Sequence, residues 1–144
     1  MKHSNYNALE ELLKSGADLN MEDSEGKTAL EYAVENSSEI FIDYLLLFGA
    51  NPNHLNLKKQ NPLHIAVLND DVISAKLLLA KGANMNQQDS NGNTTLHYLA
   101  QFASTNNEML NLFNKYSDNF DLTIKNTDGK TPSNISEIDC FAKN

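Results

Sequence analysis

The chain has 144 residues, of which 40% are hydrophobic, so it is long enough for one domain with a substantial core. Its 11 basic and 19 acidic residues give a formal net charge of −8, which argues against nucleic acid or an anionic membrane surface as the partner. No apolar run is long enough to span a bilayer, and no signal-peptide core follows Met1. Cys140 is the only cysteine, so an intrachain disulfide is excluded and a cytoplasmic, reducing compartment is expected.

The apolar pattern predicts short helices from the first residues onward. The first helix is expected over residues 7–14, with Gly16 as its stop signal. A turn at residues 23–26 then precedes two helices, at about 29–35 and 38–48. The beginning of the chain therefore supplies one isolated helix followed by a helical pair.

A second helical pair occupies the middle of the chain. Asn61 is a good N-cap and Pro62 suits the first helical position, where its missing N–H has no partner in any case. Asp70 is expected to cap the following helix, and Gly82 to end it in a left-handed conformation. Lys59 stands where the other turns have glycine, which predicts a rebuilt turn because a left-handed non-glycine residue is strained.

The last third of the chain is less regular. After Ala103 the pattern slips by four residues, and the sequence does not place this insertion within residues 104–119. A further short helix is expected over residues 132–138, with Ile135 and Ile138 facing inward. The remaining polar residues of that helix are typical of a cap on a stack of helices.

Two short sequence boxes recur every 33 residues. One is the hexamer Asn61-Pro62-Leu63-His64-Ile65-Ala66, with counterparts at residues 28–33 and 94–99. The other contains a Gly-Ala pair, at residues 16–17, 49–50 and 82–83. A Thr-Pro-Leu-His-like box and a Gly-Ala-Asp-like box in fixed register resemble the ankyrin repeat.

This resemblance implies an all-α ankyrin-repeat solenoid, in which stacked helix-turn-helix units are joined by β-like turns. Residues 1–144 then form a single ankyrin-repeat domain. We divide it into an N-terminal half repeat (1–20), two repeats (21–53 and 54–86), a repeat with an insertion (87–123) and a C-terminal cap (124–144).

The sequence contains no recognisable catalytic, metal or cofactor motif, so we expect a non-enzyme without cofactors. His64 and His97 occupy equivalent box positions, and stacked helices 8–10 Å apart suit a shared zinc ion poorly, since each Zn–N bond is about 2 Å long. The resemblance implies instead that each imidazole braces the turn backbone. Glu31 occupies the same position in the second repeat.

The resemblance places a partner on a concave face formed by the turn tips and the first helices. Carried over by register, this concave face comprises twelve residues: Glu25, Lys27, Glu35, Leu57, Lys58, Gln60, Leu68, Asn69, Asn91, Asn93, Gln101 and Phe102. The three apolar members, Leu57, Leu68 and Phe102, are candidate anchors, although scattered exposed apolar residues are normal. The alternative for Phe102 is a core position after the register slip.

The leading functional hypothesis is a module that binds one protein through the concave face, as an inhibitor, an adaptor or a mimic of host ankyrin proteins. The acidic charge favours a basic partner, and the chain is expected to be monomeric before binding. A secreted effector would act in the host-cell cytoplasm. The alternative is a structural or regulatory subunit that assembles through its truncated N-terminal end.

Overall fold

The computed structural model describes residues 2–102 and 107–135. In these two segments the chain is all-α: it forms eight α-helices and one 3-10 turn, and no strand. The helices are α1 (Lys2–Lys14), α2 (Ala29–Glu35), α3 (Glu39–Leu47), α4 (Pro62–Leu68), α5 (Val72–Ala80), α6 (Thr95–Phe102), α7 (Asn107–Asn114) and α8 (Pro132–Ile135), and the 3-10 turn is Ser117–Asn119.

The helices stack in two layers. Within a repeat α2 packs on α3 and α4 on α5, while α2, α4 and α6 contact one another in sequence along the first layer. The second layer is formed in the same way by α3, α5 and α7. The equivalent residues Leu30, Leu63 and Leu96 are fully buried between the layers, which is why a helical period repeated every 33 residues produces one continuous core.

Side-chain and backbone hydrogen bonds cap the two helices of the third repeat, α4 and α5. Asn61 caps α4, as predicted, and the structure adds a capping box between Asn61 and His64. The predicted cap at Asp70 is wrong: Asp71 caps α5, and its Oδ1 accepts the Ser74 N–H at 3.0 Å. Asp70 instead ends α4 with a φ of 55°, while the Asp71 N–H reaches back to the Ala66 carbonyl at 2.9 Å. A residue in that left-handed position cannot also cap the next helix.

Helix α5 ends at Gly82, as predicted. Gly82 has a φ of 83°, and its N–H donates to the Leu79 carbonyl at 3.1 Å. The Ala83 N–H donates to the Leu78 carbonyl at 3.0 Å. These two bonds form a Schellman motif, which satisfies carbonyls that the end of a helix leaves unpaired.

The turn at Lys59 is not rebuilt, contrary to expectation. Lys59 takes a φ of 57°, close to the 71° of Gly26 in the preceding turn, and its N–H donates to the Asn56 carbonyl at 2.9 Å. Asn56 Oδ1 also accepts the Lys58 and Gln60 N–H groups, at 2.9 and 3.1 Å. Four hydrogen bonds through Asn56, including the 3.0 Å bond from its own N–H to the Gln60 carbonyl, thus hold the strained residue in place.

Helix α1 begins at Lys2, five residues earlier than predicted. The prediction was too short because the apolar stripe fades before Asn7, yet no proline or glycine lies between Lys2 and Lys14 to stop the helix. Leu13 is buried against the stack, whereas the neighbouring Leu12 is 58% exposed.

The structure divides the four-residue slip of the fourth repeat into two parts. The buried residues Met109, Leu112 and Phe113 of α7 lie 34 positions after their counterparts in α5, Ala75, Leu78 and Leu79. Asp121, which opens the next box, lies 37 positions after Asn84. One extra residue therefore precedes this part of α7, and three follow it at the 3-10 turn. In α8, Pro132 is buried and Ile135 half-buried, while Ile138 and Cys140 lie outside the described residues.

Candidate functional site

The structure exposes most of the predicted concave face. Eight of its twelve residues are exposed: Glu25, Leu57, Lys58, Leu68, Asn69, Asn91, Gln101 and Phe102. Lys27, Glu35 and Asn93 are half-buried. Gln60 is the exception, because it is only 9% exposed. Leu57 is 75% exposed and Phe102 is 39% exposed, so neither side chain belongs to the core.

Backbone hydrogen bonds join neighbouring turn tips. The Ser90 N–H of the fourth repeat donates to the Lys58 carbonyl of the third at 2.9 Å. The Thr127 N–H of the C-terminal cap donates to the Asn91 carbonyl at 3.0 Å. The tips are therefore fixed relative to one another, which gives residues on successive repeats a defined spacing.

The two box histidines brace the turns, as the resemblance implied. The Asn61 N–H donates to His64 Nδ1 at 3.2 Å, which leaves Nε2 to carry the proton and donate to the Asn93 carbonyl at 3.1 Å. His97 Nδ1 likewise accepts from Thr94 N–H at 3.0 Å, and Nε2 lies 2.9 Å from the Lys130 carbonyl. Burial lowers the pKa of His64, which keeps its imidazole neutral.

Glu31 replaces this brace at the junction of the second and third repeats. Its side chain is 1% exposed, and Oε1 accepts the Asn56 Nδ2 amide at 2.7 Å. Its other oxygen, Oε2, is buried and accepts no hydrogen bond from any residue that the structure describes. Burial raises the pKa of Glu31, because an ionised carboxylate is poorly solvated there.

The same junction is more open than the next one. At the junction of the third and fourth repeats, the Tyr98 ring packs edge-on against His64, with ring centroids 6.1 Å apart, and its hydroxyl donates to Asp89. One repeat earlier, Ile65 stands in the place of Tyr98 and Asn56 in the place of Asp89. A cavity of about 290 Å³ lies at this junction, and both Ile65 and Glu31 line it.

We call this cavity the Glu31 pocket. Six of its lining residues belong to the predicted concave face: Glu25, Lys27, Glu35, Leu57, Lys58 and Gln60. The sequence analysis missed the other three lining residues, Glu31, Asn56 and Ile65. A position-by-position comparison of the repeats contains the signal, because each of the three differs from its counterpart in the fourth repeat.

Lys27 neutralises two carboxylates at the rim of the Glu31 pocket. Its Nζ lies 2.8 Å from Glu35 Oε1 and 3.4 Å from Glu25 Oε2, and the hydrogen bond with Glu35 raises the pKa of Lys27. The same ammonium lies 5.3 Å from the centre of the Tyr32 ring. Glu25 and Glu35 are thus paired in the free protein, in contrast to Glu31 Oε2.

A second, apolar groove lies at the α1 end of the stack. It has a volume of about 460 Å³ and is lined by Leu9, Ala29, Tyr32, Ala33, Asn36, Ser38, Phe41 and Leu45. These residues come from α1, α2, α3 and the connection between α2 and α3, and they are distant in register from the turns of the third and fourth repeats.

In residues 2–102 and 107–135, no group of three or more His, Cys, Asp or Glu side chains is placed to hold a metal ion. In the same residues, no helix has both the length and the apolar character needed to cross a membrane.

Comparison with known families agrees with the fold. A family model described as ankyrin repeats (3 copies) matches residues 40–126, and one described as ankyrin repeats (many copies) matches residues 1–46. A search of curated proteins found no match to the chain. Ankyrin repeats are generally protein–protein interaction modules. Because the first model covers more than half of the sequence, the chain belongs to the ankyrin-repeat family.

Proposed function

We propose that this protein is a non-enzymatic interaction module that binds a protein partner through its concave face. The observation that carries the proposal is the exposure of the apolar residues Leu57, Leu68 and Phe102 on turns and helices of adjacent repeats. Polar side chains surround these three residues, as in the rim of a protein interface. The module acts in the cytoplasm, or in the host-cell cytoplasm if it is a secreted effector, and serves as an inhibitor, adaptor or host mimic.

The charge of the chain favours a basic partner. Glu25 and Glu35 lie on the concave face, and the net charge of −8 attracts a positively charged surface during diffusional encounter. Exposed rim charges mainly affect the association rate and its salt dependence, whereas buried apolar anchors account for most of the affinity.

The test is capture of the partner with the intact chain and with a Phe102→Ala variant. Truncation of this anchor should weaken binding by roughly 2 kcal/mol or more without loss of cooperative folding. Leu47→Ala is the control, since Leu47 is also apolar and exposed, at 66% against 39% for Phe102, but lies on α3 in the second helix layer. Loss of binding only in proportion to a lower melting temperature would show that Phe102 stabilises the fold and is not an anchor.

The second candidate is a subunit that assembles through its α1 end with a second copy of the chain. The apolar groove beside Leu9 and Phe41 favours it, because exposed apolar grooves mark interaction sites. Light scattering separates the candidates: a monomer supports the interaction module. A dimer that Leu9→Glu disrupts supports assembly through the groove.

A further inference from the structure

We propose that the Glu31 pocket receives an arginine side chain of the protein partner, whose guanidinium pairs with Glu31 Oε2. This proposal rests on the proposed function, and it names the chemistry that one part of the concave face recognises. Three observations support it: an unpaired buried oxygen of Glu31, a cavity that Glu31 lines, and the residues by which this junction differs from the next one.

The first observation is the state of the Glu31 carboxylate. A buried polar atom without a hydrogen bond destabilises the fold, so native proteins rarely keep one without a reason. Asn56 donates to Oε1, and the Lys27 ammonium pairs with Glu35 and Glu25, so neither side chain donates a hydrogen bond to Oε2. A donor from a partner would remove this cost on binding, which is the differential interaction that a recognition site needs.

The second observation is the shape and lining of the pocket. The exposed Leu57 and the half-buried Ile65 provide apolar contact, while carboxylates of Glu25, Glu31 and Glu35 lie around the same space. An arginine side chain has an apolar stem and a planar head with five N–H donors. It can place the stem against the two apolar residues while the head reaches several acceptors at once.

The third observation is how this junction differs from the next one. Where the fourth repeat has Asp89 and Tyr98 beside His64, the third has Asn56 and Ile65 beside Glu31. Tyrosine at position 65 would occupy the space that Tyr98 fills against His64, and aspartate at position 56 would repel the Glu31 carboxylate instead of donating to it. Asn and Ile recur at these two positions as Asn126 and Ile135 beside His97, so Glu31 is the substitution that distinguishes this junction from both later ones. Together the three residues line an open pocket that contains a buried carboxylate.

Arginine fits this pocket better than lysine. The guanidinium can donate to Glu31 Oε2 and to a second acceptor in one plane, whereas an ammonium on a flexible stem acts as a point charge. Two lysines, Lys27 and Lys58, already line the pocket. The Lys27 ammonium pairs with the outer carboxylates Glu25 and Glu35, and Oε2 accepts no hydrogen bond from either lysine.

The experiment is a nuclear magnetic resonance titration of the full chain with N-acetyl-arginine methylamide. We expect amide shifts confined to residues around Glu31, Asn56 and Ile65, with a dissociation constant near the millimolar range, as expected for a fragment of this size. The lysine analogue should bind several-fold more weakly, and the citrulline analogue, which has the same shape without the charge, should not bind.

Two variants test the pocket itself. Glu31→His supplies the brace found in the next two repeats, and Ile65→Tyr fills the cavity, so each should weaken binding of the arginine probe by about tenfold or more. If Glu31→His lowers the melting temperature, Glu31→Gln replaces it as the variant that tests binding of the probe. Asp43→Asn is the matched control, because it removes one exposed carboxylate of α3 and should leave binding unchanged.

The outcomes separate this proposal from the function on which it rests. Equal response to the arginine, lysine and citrulline probes, or unchanged binding by the Glu31 variants, would overturn the arginine pocket. If a captured partner then still lost affinity with Phe102→Ala, the concave face would stand without this pocket. If the arginine probe bound but the affinity for the partner did not depend on Phe102, the pocket would be supported and the proposed concave face would be contradicted.

Discussion

The junction around Glu31 and the junction around His64 have the same backbone but different side-chain chemistry. At the second junction, the imidazole of His64 joins its own helix cap to the turn of the next repeat, and Tyr98 covers it. At the first junction, a carboxylate accepts one amide from the next turn, keeps a buried oxygen unpaired and faces an open cavity. One junction satisfies its buried polar atoms, and the other does not.

This difference shows how a repeat protein can specialise one site without changing its fold. Each repeat contacts only its neighbours, so the cost of an imperfect junction is local and the remaining junctions support the stack. Residues that lower stability at one position of an otherwise regular array are candidates for function, since strained or unsatisfied groups persist mainly at functional sites.

The largest expected effect is the loss of stability when a core leucine is truncated. It tests whether the core stabilises both junctions equally. Leu30→Ala, Leu63→Ala and Leu96→Ala each remove a fully buried side chain, so each should lower the free energy of unfolding by about 2–5 kcal/mol. Urea denaturation followed by circular dichroism measures this loss. The exposed Leu57→Ala should change stability little, and a comparable loss there would contradict its exposed position.

The next largest effect concerns the histidine braces. His64→Ala leaves the Asn93 carbonyl and the Asn61 N–H without their partner, so we expect a loss of about 1–3 kcal/mol at pH 7. Chelators should not shift the melting curve of the wild type, because the imidazole binds backbone and no metal ion is involved. A chelator-dependent melting temperature would refute the bracing role.

The brace also predicts a pH dependence. Burial lowers the pKa of His64 below its usual 6.5, so the unfolded chain binds a proton more readily than the folded one. The stabilisation is then fully present above pH 6.5 and is lost as the pH falls through the lower folded pKa. The stability gap between wild type and His64→Ala should therefore shrink in acid, and a gap that widened would contradict this assignment.

Glu31→Gln should raise the stability of the fold, whereas His64→Ala should lower it. It removes a buried charge while the side-chain oxygen can still accept from Asn56, so we expect a gain of about 1 kcal/mol at pH 7. The raised pKa means that the folded protein holds its proton to higher pH than the unfolded chain, and the wild type therefore loses stability as the pH rises above about 4.5. Nearby charges act on the same pKa: Glu35 raises the pKa of Glu31 further, while Lys27 and His54 lower it.

The gain should consequently be smallest near pH 4 and grow toward neutral pH. Melting temperatures of both proteins across this range measure it. Glu35→Gln is the control, because Glu35 is paired with Lys27 and its loss should not stabilise the fold. A variant that is less stable than the wild type at pH 7 would mean that the Glu31 carboxylate is fully satisfied in solution.

The smallest effect concerns the turns. Lys59→Gly relieves a left-handed lysine but makes the unfolded chain more flexible, so the net gain should be at most about 1 kcal/mol. Gly92→Ala, at the equivalent turn of the next repeat, should be destabilising instead, since an added Cβ would lie 2.9 Å from the Thr127 backbone nitrogen. Equal effects of the two changes would contradict the different packing of the two turns.

The sequence by itself determined the family, the helical order and the fully buried leucines, because these follow from local patterns repeated at a fixed spacing. Asn61, Pro62 and Gly82 act as the sequence predicts, since a cap or a stop needs only a few neighbouring residues. The register slip was also visible, although its position was not, because the sequence has no glycine to mark the end of α7.

Only the tertiary structure decided which residues meet across repeats. Asp70 and Asp71 are both good caps in isolation, and the backbone path at the end of α4 selects Asp71. Lys59 keeps its turn because Asn56 holds it, and Gln60 is buried although its register is that of a surface residue. The Glu31 pocket joins residues of two repeats, such as Glu31 and Asn56, which are 25 positions apart, so its polar groups and its volume exist only once the repeats are stacked.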